Sequence, residues 1–596
     1  MQAIPQSPYK VVSTPPLALP PSARSEDWNA FAGALVPNAV ALDLLGVEQA
    51  MRLKLLPMVS TGAVTPIAGT NRPIFDRYRP QLEGILGPIC FCRANAEQLH
   101  NTIISLRGPY LLNRAEARTP IRESCRGWSG TNAAAGLGVL VALLAVGFLL
   151  WPRALLLALA LWATLTLAAT TFLRTIAALA EFLHRRRTAR VWRSRRPHTL
   201  RRNLLPRIGL LVPLLDEQDI AGRLVRRLER LDYPRDRLQV SLILEADDTR
   251  TSAALENTNL PPWMQVVKVP QGSLKTKPRA MNFALDFTEG EIIGIYDAED
   301  APAPSQLLDV AAGFARSGPD VGCLQGVLDF YNPRQTWLTR CFTIDYASWF
   351  RLVLPGLVRL GFAIPLGGTT VFFRRKMLED IGRWDAHNVT EDADLGIRLA
   401  RHGFRTVFVY SVTEEEATAT VRSWIKQRSR WIKGYAITWA VHMRDPLALL
   451  GELGWRRFWG FQVLFLGSLS QFLLAPLLWS FWLVLFGLPH PIVSALPWGA
   501  IVIGASIFFF CEVATIALAA VGVATPKHNW LIKWVPVMHL YFPLAAVASW
   551  KGFAELVREP FFWDKTAHGG RVTRRWGYPS RRRHLHPGGD VPQTHG

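Results

Sequence analysis

Apolar positions along this chain follow three patterns, and each predicts a different kind of element. Residues 131–151 (TNAAAGLGVLVALLAVGFLLW) and 155–173 (LLLALALWATLTLAATTFL) are apolar runs without a charge. Each is long enough to cross a hydrocarbon core of ~30 Å at ~1.5 Å per residue. Only Pro152-Arg153-Ala154 separates them, so residues 131–173 read as a transmembrane hairpin. Apolar stretches return at 461–487 and 494–523, while 534–550 is shorter and reads as a span, a re-entrant piece or an interfacial helix. Basic residues at Arg456, Arg457, Lys527 and Lys533 read as cytoplasmic. That favours two full C-terminal spans with 534–550 not crossing, or a segment 461–487 that crosses twice.

The second pattern lies between the apolar blocks. PRIGLLVP, LQVSLILE, MQVVKV, EIIGIYD and RTVFVYS are short apolar runs that predict buried strands. Between the first two, Ile220, Leu224, Leu228 and Leu231 recur at helical spacing. Strand, helix, strand in this order predicts an α/β domain with a mostly parallel, Rossmann-like sheet covered by helices. Such sheets bind ligands at the carboxyl ends of their strands. Glu245, Asp247 and Asp248, and the run Asp297 to Asp300, fall at those ends.

The third pattern is aromatic and basic. Trp337, Phe342, Tyr346, Trp349 and Phe350 in 335–361, and Trp424, Trp431 and Trp439 in 420–457, suit interfacial helices or buried helices of the soluble domain. Residues 29–125 alternate short helix and strand patterns with Pro and Gly, and predict a small α+β module. Residues 1–28 lack an apolar core, which argues against a signal peptide, and read as a disordered, Pro-rich tail. The expected division is therefore 1–28 tail, 29–125 module, 131–173 hairpin, 205–435 α/β domain, 436–457 interfacial helix, 461–550 membrane region, and 551–596 cytoplasmic loop and basic tail.

The net charge of +21 has two discrete sources, one at Arg185–Arg202 and one at Arg571–Arg583. Both follow apolar segments, which marks a cytoplasmic flank facing anionic lipid and argues against a nucleic-acid partner. The six cysteines show no metal-ligand spacing beyond a lone C-x-C, and a disulfide framework is not expected in a large, mostly cytosolic chain.

Three short motifs carry candidate chemistry. Asp297-Ala298-Glu299-Asp300 points two carboxylates at one spot after a strand. Their repulsion is relieved by a divalent cation, and hard oxygen donors suit Mg²⁺ or Mn²⁺. A solvated loop is the plainer reading. Thr390-Glu391-Asp392-Ala393-Asp394 offers a general base, or simply the acidic first turn of a helix capped by Thr390. Gln427-x-x-Arg430-Trp431 puts three side chains on one helical face. Arg430 suits phosphate and Trp431 a sugar ring, against membrane anchoring as the alternative.

Taken in order over residues 205–435, the three motifs resemble those of the family 2 glycosyltransferases with a GT-A fold. More narrowly, they resemble the membrane-embedded processive polysaccharide synthases, a group that includes cellulose, hyaluronan and chitin synthases. The resemblance implies an inverting, metal-dependent hexosyltransferase at the bacterial inner membrane, multi-pass, with a cytoplasmic catalytic domain. It would draw on a nucleotide-sugar, UDP-linked in preference to GDP-linked, and extend an exopolysaccharide coupled to its translocation. By motif match, Pro213 and Glu217 resemble the first nucleotide-binding loop. Glu245 and Asp247 resemble the acidic pair at the base, and Lys277 and Arg279 the basic loop over the nucleotide-sugar. Asp297 and Glu299 take the metal role with Mg²⁺ or Mn²⁺, and Asp392 the base role. Arg430 is implied at the diphosphate, and Gln427 and Trp431 at the acceptor. There are departures: D-A-E stands where D-x-D is usual, and E-A-D-D leaves Glu245 versus Asp248 open.

Lys565, Thr566 and His568, after the aromatic run Phe561-Phe562-Trp563, resemble a gating loop over the nucleotide; a membrane-exit loop is the alternative. Residues 29–125 are similar to the N-terminal domain of type II secretion ATPases, some relatives of which bind cyclic di-GMP. The segment has LVP, Pro57 and Gly62 but little of the ligand-binding repeat, so a partner-docking or structural module stands beside a cyclic di-GMP sensor. Two other functions remain open from sequence: transfer of a single sugar to a lipid carrier, and a non-catalytic membrane scaffold of a secretion system.

Overall fold

The computed structural model describes residues 36–59, 63–192, 202–217 and 221–562. The expected tail and the gating-loop residues Lys565, Thr566 and His568 lie outside them, as do most of the two arginine clusters.

Residues 36–125 build a three-stranded sheet from β1 (Leu55–Pro57), β2 (Thr65–Gly69) and β3 (Ile89–Arg93). β1 is antiparallel to β2, and β2 parallel to β3. The side chain of Asn71 accepts the Ile74 amide to start the helix Arg72–Leu86, and Gly87 with φ 75° ends it. This unit does not keep a core to itself. Leu99, Ile103 and Leu111 of the helix Ala96–Ala117 join one continuous apolar cluster with Met281, Phe283 and Phe287 of the large domain. An isolated module would leave that face in water, so the interface is fixed by burial.

The large domain holds an eight-stranded sheet. Its strands are β4 (Ile208–Leu214), β5 (Leu238–Glu245), β6 (Met264–Val269), β7 (Ile292–Ile295), β8 (Ala301–Pro302), β9 (Val321–Phe330), β10 (Val371–Arg374) and β11 (Arg405–Glu415). Their order is β6-β5-β4-β7-β10-β9-β11-β8. β6, β5, β4 and β7 run parallel, as the apolar runs predict. β10 is antiparallel to both neighbours, β9 and β11 are parallel, and β8 closes the edge antiparallel to β11. The parallel half thus carries Glu245 and Asp297 at one edge of the sheet.

Among the described residues, four helices are long and apolar enough to cross a membrane: Gly130–Leu150, Pro152–Arg187, Pro446–Val484 and Trp498–Val523. A bent pair, Asn529–Tyr541 with Pro543–Arg558, makes five if it counts as one span. The first helix is apolar on every side and has no buried residue, the signature of a lipid-facing element. The second helix does not end with its apolar run. It continues to Trp192, and on its way Glu181, fully buried, binds Arg359 at 2.5 Å and the Tyr410 hydroxyl at 2.7 Å. The boundary expected at residue 435 also falls inside an element, since one helix runs Val421–His442 and the next Pro446–Gln462. The aromatic helix Trp337–Ser348 is largely buried, and Leu338, Phe342 and Ile344 share a core with Val523 and Tyr541.

Gly356 lies where the second membrane helix meets the helix Leu354–Arg359. A Cβ there would fall onto the carbonyl of Ala177. Gly356→Ala is expected to destabilise the solubilised protein by about 2 kcal/mol, read as a lowered melting midpoint.

Candidate active site

Pro213, Glu217, Glu245, Lys277, Asp297, Glu299, Asp392, Gln427, Arg430 and Trp431 all line one cavity of ≈ 1390 Å³. Asp247 faces an adjoining recess with Asp216 and Asp248, where it binds Lys275 at 2.9 Å. Arg279 is placed differently from the expectation. It is 1 % exposed and does not line the cavity, and its guanidinium binds the cavity residue Glu245 at 2.5 Å. Glu245 lines the cavity, and Asp248 does not. Asp248 caps the helix Thr249–Glu256 and also accepts the Asp216 amide at 2.6 Å, which occupies its carboxylate in the fold.

Lys277 is the electrostatic centre. It sits at the first turn of the helix Lys277–Leu285, whose cap is Thr276. Its ammonium donates to Asp297 at 2.6 Å and to the Gly368 carbonyl at 2.9 Å, and lies 3.9 Å from Glu391. Burial alone would favour the neutral amine, but Asp297 and Glu391 outweigh it and hold the lysine above its ordinary range. Asp392 follows Glu391 at the start of the helix Glu391–Arg401. Burial pushes both carboxyls up, Glu391 to about 7, and Lys277 opposes both; Asp392 raises Glu391 further, while the Ala393 amide and Arg430 hold Asp392 down. Thr390 occupies the cap position, but its hydroxyl does not cap the helix and donates instead to Asn388 at 3.3 Å.

The turn after β7 is closed by its own acid. Asp300, fully buried, accepts the Asp297 amide at 2.8 Å and the Thr369 hydroxyl. Burial first, then Asp297 and Glu299, push its carboxyl well up. Glu415, at the end of β11, also lines the cavity. Burial and the carboxyls of Asp300, Glu299 and Asp297 raise it too, and its Oε1 has no hydrogen-bond partner. Asp297, Glu299, Asp300 and Glu415 gather in one corner, half-buried except for Asp300, and such a group with an unsatisfied oxygen fits a cation. Among the described residues no three His, Cys, Asp or Glu side chains converge on one metal position. An ion would therefore take at most two protein carboxylates and complete its shell from phosphate and water, a habit of Mg²⁺.

On the far wall, Gln427, Arg430 and Trp431 share the helix Val421–His442. Trp431 stacks on Tyr346 with centroids 6.3 Å apart, and Arg428 lies over its ring at 4.7 Å. Arg428 is itself held by Asp345 at 2.5 Å. Gln427 Oε1 is buried with no hydrogen-bond partner. The cavity then continues between the long apolar helices, past Leu161, Thr164, Gln471, Phe508 and Glu512.

Gly368 leaves room at the centre of this site. A Cβ there would stand 3.1 Å from Asp392 Oδ2 and 3.8 Å from Lys277 Nζ. Gly368→Ala is expected to cut turnover by about 10-fold with little change in melting midpoint, since the methyl intrudes on reacting groups and not on the core.

A parallel half-sheet with acidic strand ends, joined to a mixed half that delivers an acidic helix and a basic-aromatic helix, is the GT-A glycosyltransferase fold. Residues 292–519 match the family described as "Glycosyl transferase family group 2", and the chain carries a family 2 glycosyltransferase domain. It is 30% identical over 263 residues to the beta-monoglucosyldiacylglycerol synthase of Synechocystis sp., covering 42% of this chain and 52% of that one. It is 25% identical over 312 residues to the UDP-forming cellulose synthase catalytic subunit of Pseudomonas fluorescens, covering 51% and 38%. The chain thus spans about half the length, or less, of these curated relatives. Among solved structures, the mannosyltransferase PcManGT from Pyrobaculum calidifontis in complex with GDP-Man and Mn²⁺ overlays with a TM-score of 0.36 at 19% identity. That overlay covers 67% of this chain and 99% of the mannosyltransferase.

Proposed function

We propose that the protein is a multi-pass enzyme of the bacterial inner membrane, with its catalytic domain on the cytoplasmic side. In this reading it transfers a sugar from a nucleoside-diphosphate donor, with inversion, to the end of a growing polysaccharide. The observation that carries it is the single cavity that holds Asp297, Asp392 and the Gln427–Trp431 face, and that runs on between apolar helices. Glu245 and Asp247 face the nucleoside, and Lys277 and Arg430 the diphosphate. A divalent cation held by Asp297 and Glu299 would supply charge neutralisation for the leaving diphosphate. Asp392 takes the proton from the acceptor hydroxyl. That oxygen forms a bond to the anomeric carbon as the bond to the diphosphate oxygen breaks on the opposite face. Trp431 stacks on the acceptor ring and Gln427 bonds its hydroxyls. Arg279 acts at one remove, by fixing Glu245.

The test is release of nucleoside diphosphate by purified protein with Mg²⁺ or Mn²⁺, across UDP-glucose, UDP-N-acetylglucosamine and GDP-mannose. Absence of release and of donor binding by calorimetry would return the chain to a membrane scaffold. A second acceptor has its own support. The membrane part of the cavity is walled by Leu157, Leu161, Leu167, Ile501 and Ile503, which suit acyl chains, and the Synechocystis relative is named for a glucosylated diacylglycerol. Product size separates the two: a polymer supports chain extension, and a single added sugar supports a lipid acceptor. For the N-terminal module we favour docking or structural support over cyclic di-GMP binding, which calorimetry with the dinucleotide tests directly.

A further inference from the structure

The segment that joins the N-terminal unit to the first membrane helix touches the catalytic domain at one particular place. Thr119 donates from its hydroxyl to the carbonyls of Gly382 and Trp384, both at 3.1 Å. The Ser124 hydroxyl donates to Asp385 Oδ1 at 2.8 Å, and the Cys125 amide to Asp385 Oδ2 at 2.7 Å. Asp385 is 1 % exposed, so both its oxygens are spoken for in a water-free setting. It also accepts the His387 amide at 3.3 Å, which shapes the turn that follows.

That turn is the hub of the active site. The hydroxyl of Thr276, the cap of the Lys277 helix, donates to the Ala386 carbonyl at 2.6 Å. Asn388 donates to Thr438 on the Gln427–Trp431 helix at 3.0 Å, and its Oδ1 accepts the Thr390 amide at 3.0 Å. Glu391 and Asp392 come next. The donor helix, the acceptor helix and the acidic helix are thus registered against residues 385–388, and residues 119–125 anchor the turn from outside the sheet domain.

We propose that residues 119–125 are a positioning strap, and that Ser124 and Asp385 are positioning residues that fix Asp392 between donor and acceptor. This rests on the glycosyl-transfer reading above. Neither residue touches the cavity, so their effect passes through the turn. A misplacement of about 1 Å at a reacting group costs up to about 100-fold in rate.

The test compares Ser124→Ala, Ser124→Thr and Asp385→Asn in the full-length, detergent-solubilised protein. Ser124→Ala is expected to lower kcat by about 10-fold with donor KM within about 2-fold, and Ser124→Thr, which keeps the hydroxyl, to restore most of it. Asp385→Asn is expected to lose more than Ser124→Ala. Hydrogen exchange of Ser124→Ala should quicken at residues 386–393 and stay unchanged in the helix Gln306–Arg316. Wild-type kcat with unchanged exchange at 386–393 overturns the proposal. So does a uniform rise in exchange with a matching fall in active fraction, which would make the strap a general support. If the wild type releases no diphosphate from any donor, the glycosyl-transfer reading falls, and the exchange arm still decides whether the strap orders the turn.

Discussion

Asp392→Asn is expected to lower kcat by about 1,000-fold while leaving the donor dissociation constant within a factor of about 3. The amide keeps the size of the carboxylate and can still accept the Ala393 amide bond that Asp392 Oδ1 makes at 2.8 Å. What it cannot do is take a proton. A loss of this size is set by the worth of a general base, and it appears in kcat because the base acts only after both substrates are bound. The same assignment fixes the sign of a pH profile. Burial raises both carboxyls of the Glu391–Asp392 pair, Glu391 to about 7. The base must be ionised, so turnover falls as pH drops, and the acid limb stands above the ordinary carboxylate range near ~4. Activity that holds steady down through the ordinary carboxylate range near ~4 would remove Asp392 from the base role. So would an Asp392→Asn enzyme with normal turnover.

Much of this site was legible in the chain because its residues cluster by strand end. β4, β5, β6, β7 and β11 announce themselves as short apolar runs, and acids stand at or just after the ends of all but β6. The strands the pattern misses are those that close the sheet. β9, VGCLQGVLDF, is buried at all ten positions, so alternation gives no signal, and two glycines and a glutamine break the apolar run. β10 is only four residues, too short to stand out from the loop before it. Glu415 was missed for another reason: in Glu414-Glu415-Glu416 it reads as a solvated acidic turn, and only the pairing of β11 with β9 carries it into the corner of Asp297 and Glu299. Asp300 carried no separate role in the acidic run, and in the fold its oxygen closes the turn. Arg279 shows the converse. Its motif points to the donor, yet the helix turns it inward to Glu245. The strap could not be read at all. Ser124 and Asp385 are 261 positions apart, and nothing local marks either as the other's partner.

Asp297→Ala should fail differently from Asp392→Asn, and the contrast is the sharper test of the site. Asp297 holds Lys277 at 2.6 Å and shares the corner with Glu299 and Glu415. Its removal strips charge from the place where a cation and a diphosphate would meet, so donor affinity falls along with rate. We expect kcat/KM for the nucleotide-sugar to drop by about 1,000-fold, the size of losing a main stabiliser of leaving-group charge. Lys277 would then have Glu391, now 3.9 Å away, as its nearest carboxylate. That pulls the Glu391–Asp392 pair down toward the ordinary range, and the residual activity of Asp297→Ala should reach further into acid than that of the wild type. Chelation by EDTA supplies the matching experiment. Wild-type activity should vanish and return on adding Mg²⁺ or Mn²⁺, whereas Asp297→Ala should respond weakly to either. An enzyme indifferent to EDTA, with an Asp297→Ala variant that binds donor normally, would mean that the corner is neutralised by Lys277 alone. In that case Glu415, raised by burial and by its neighbours' charge, would serve as a proton holder and not as a ligand.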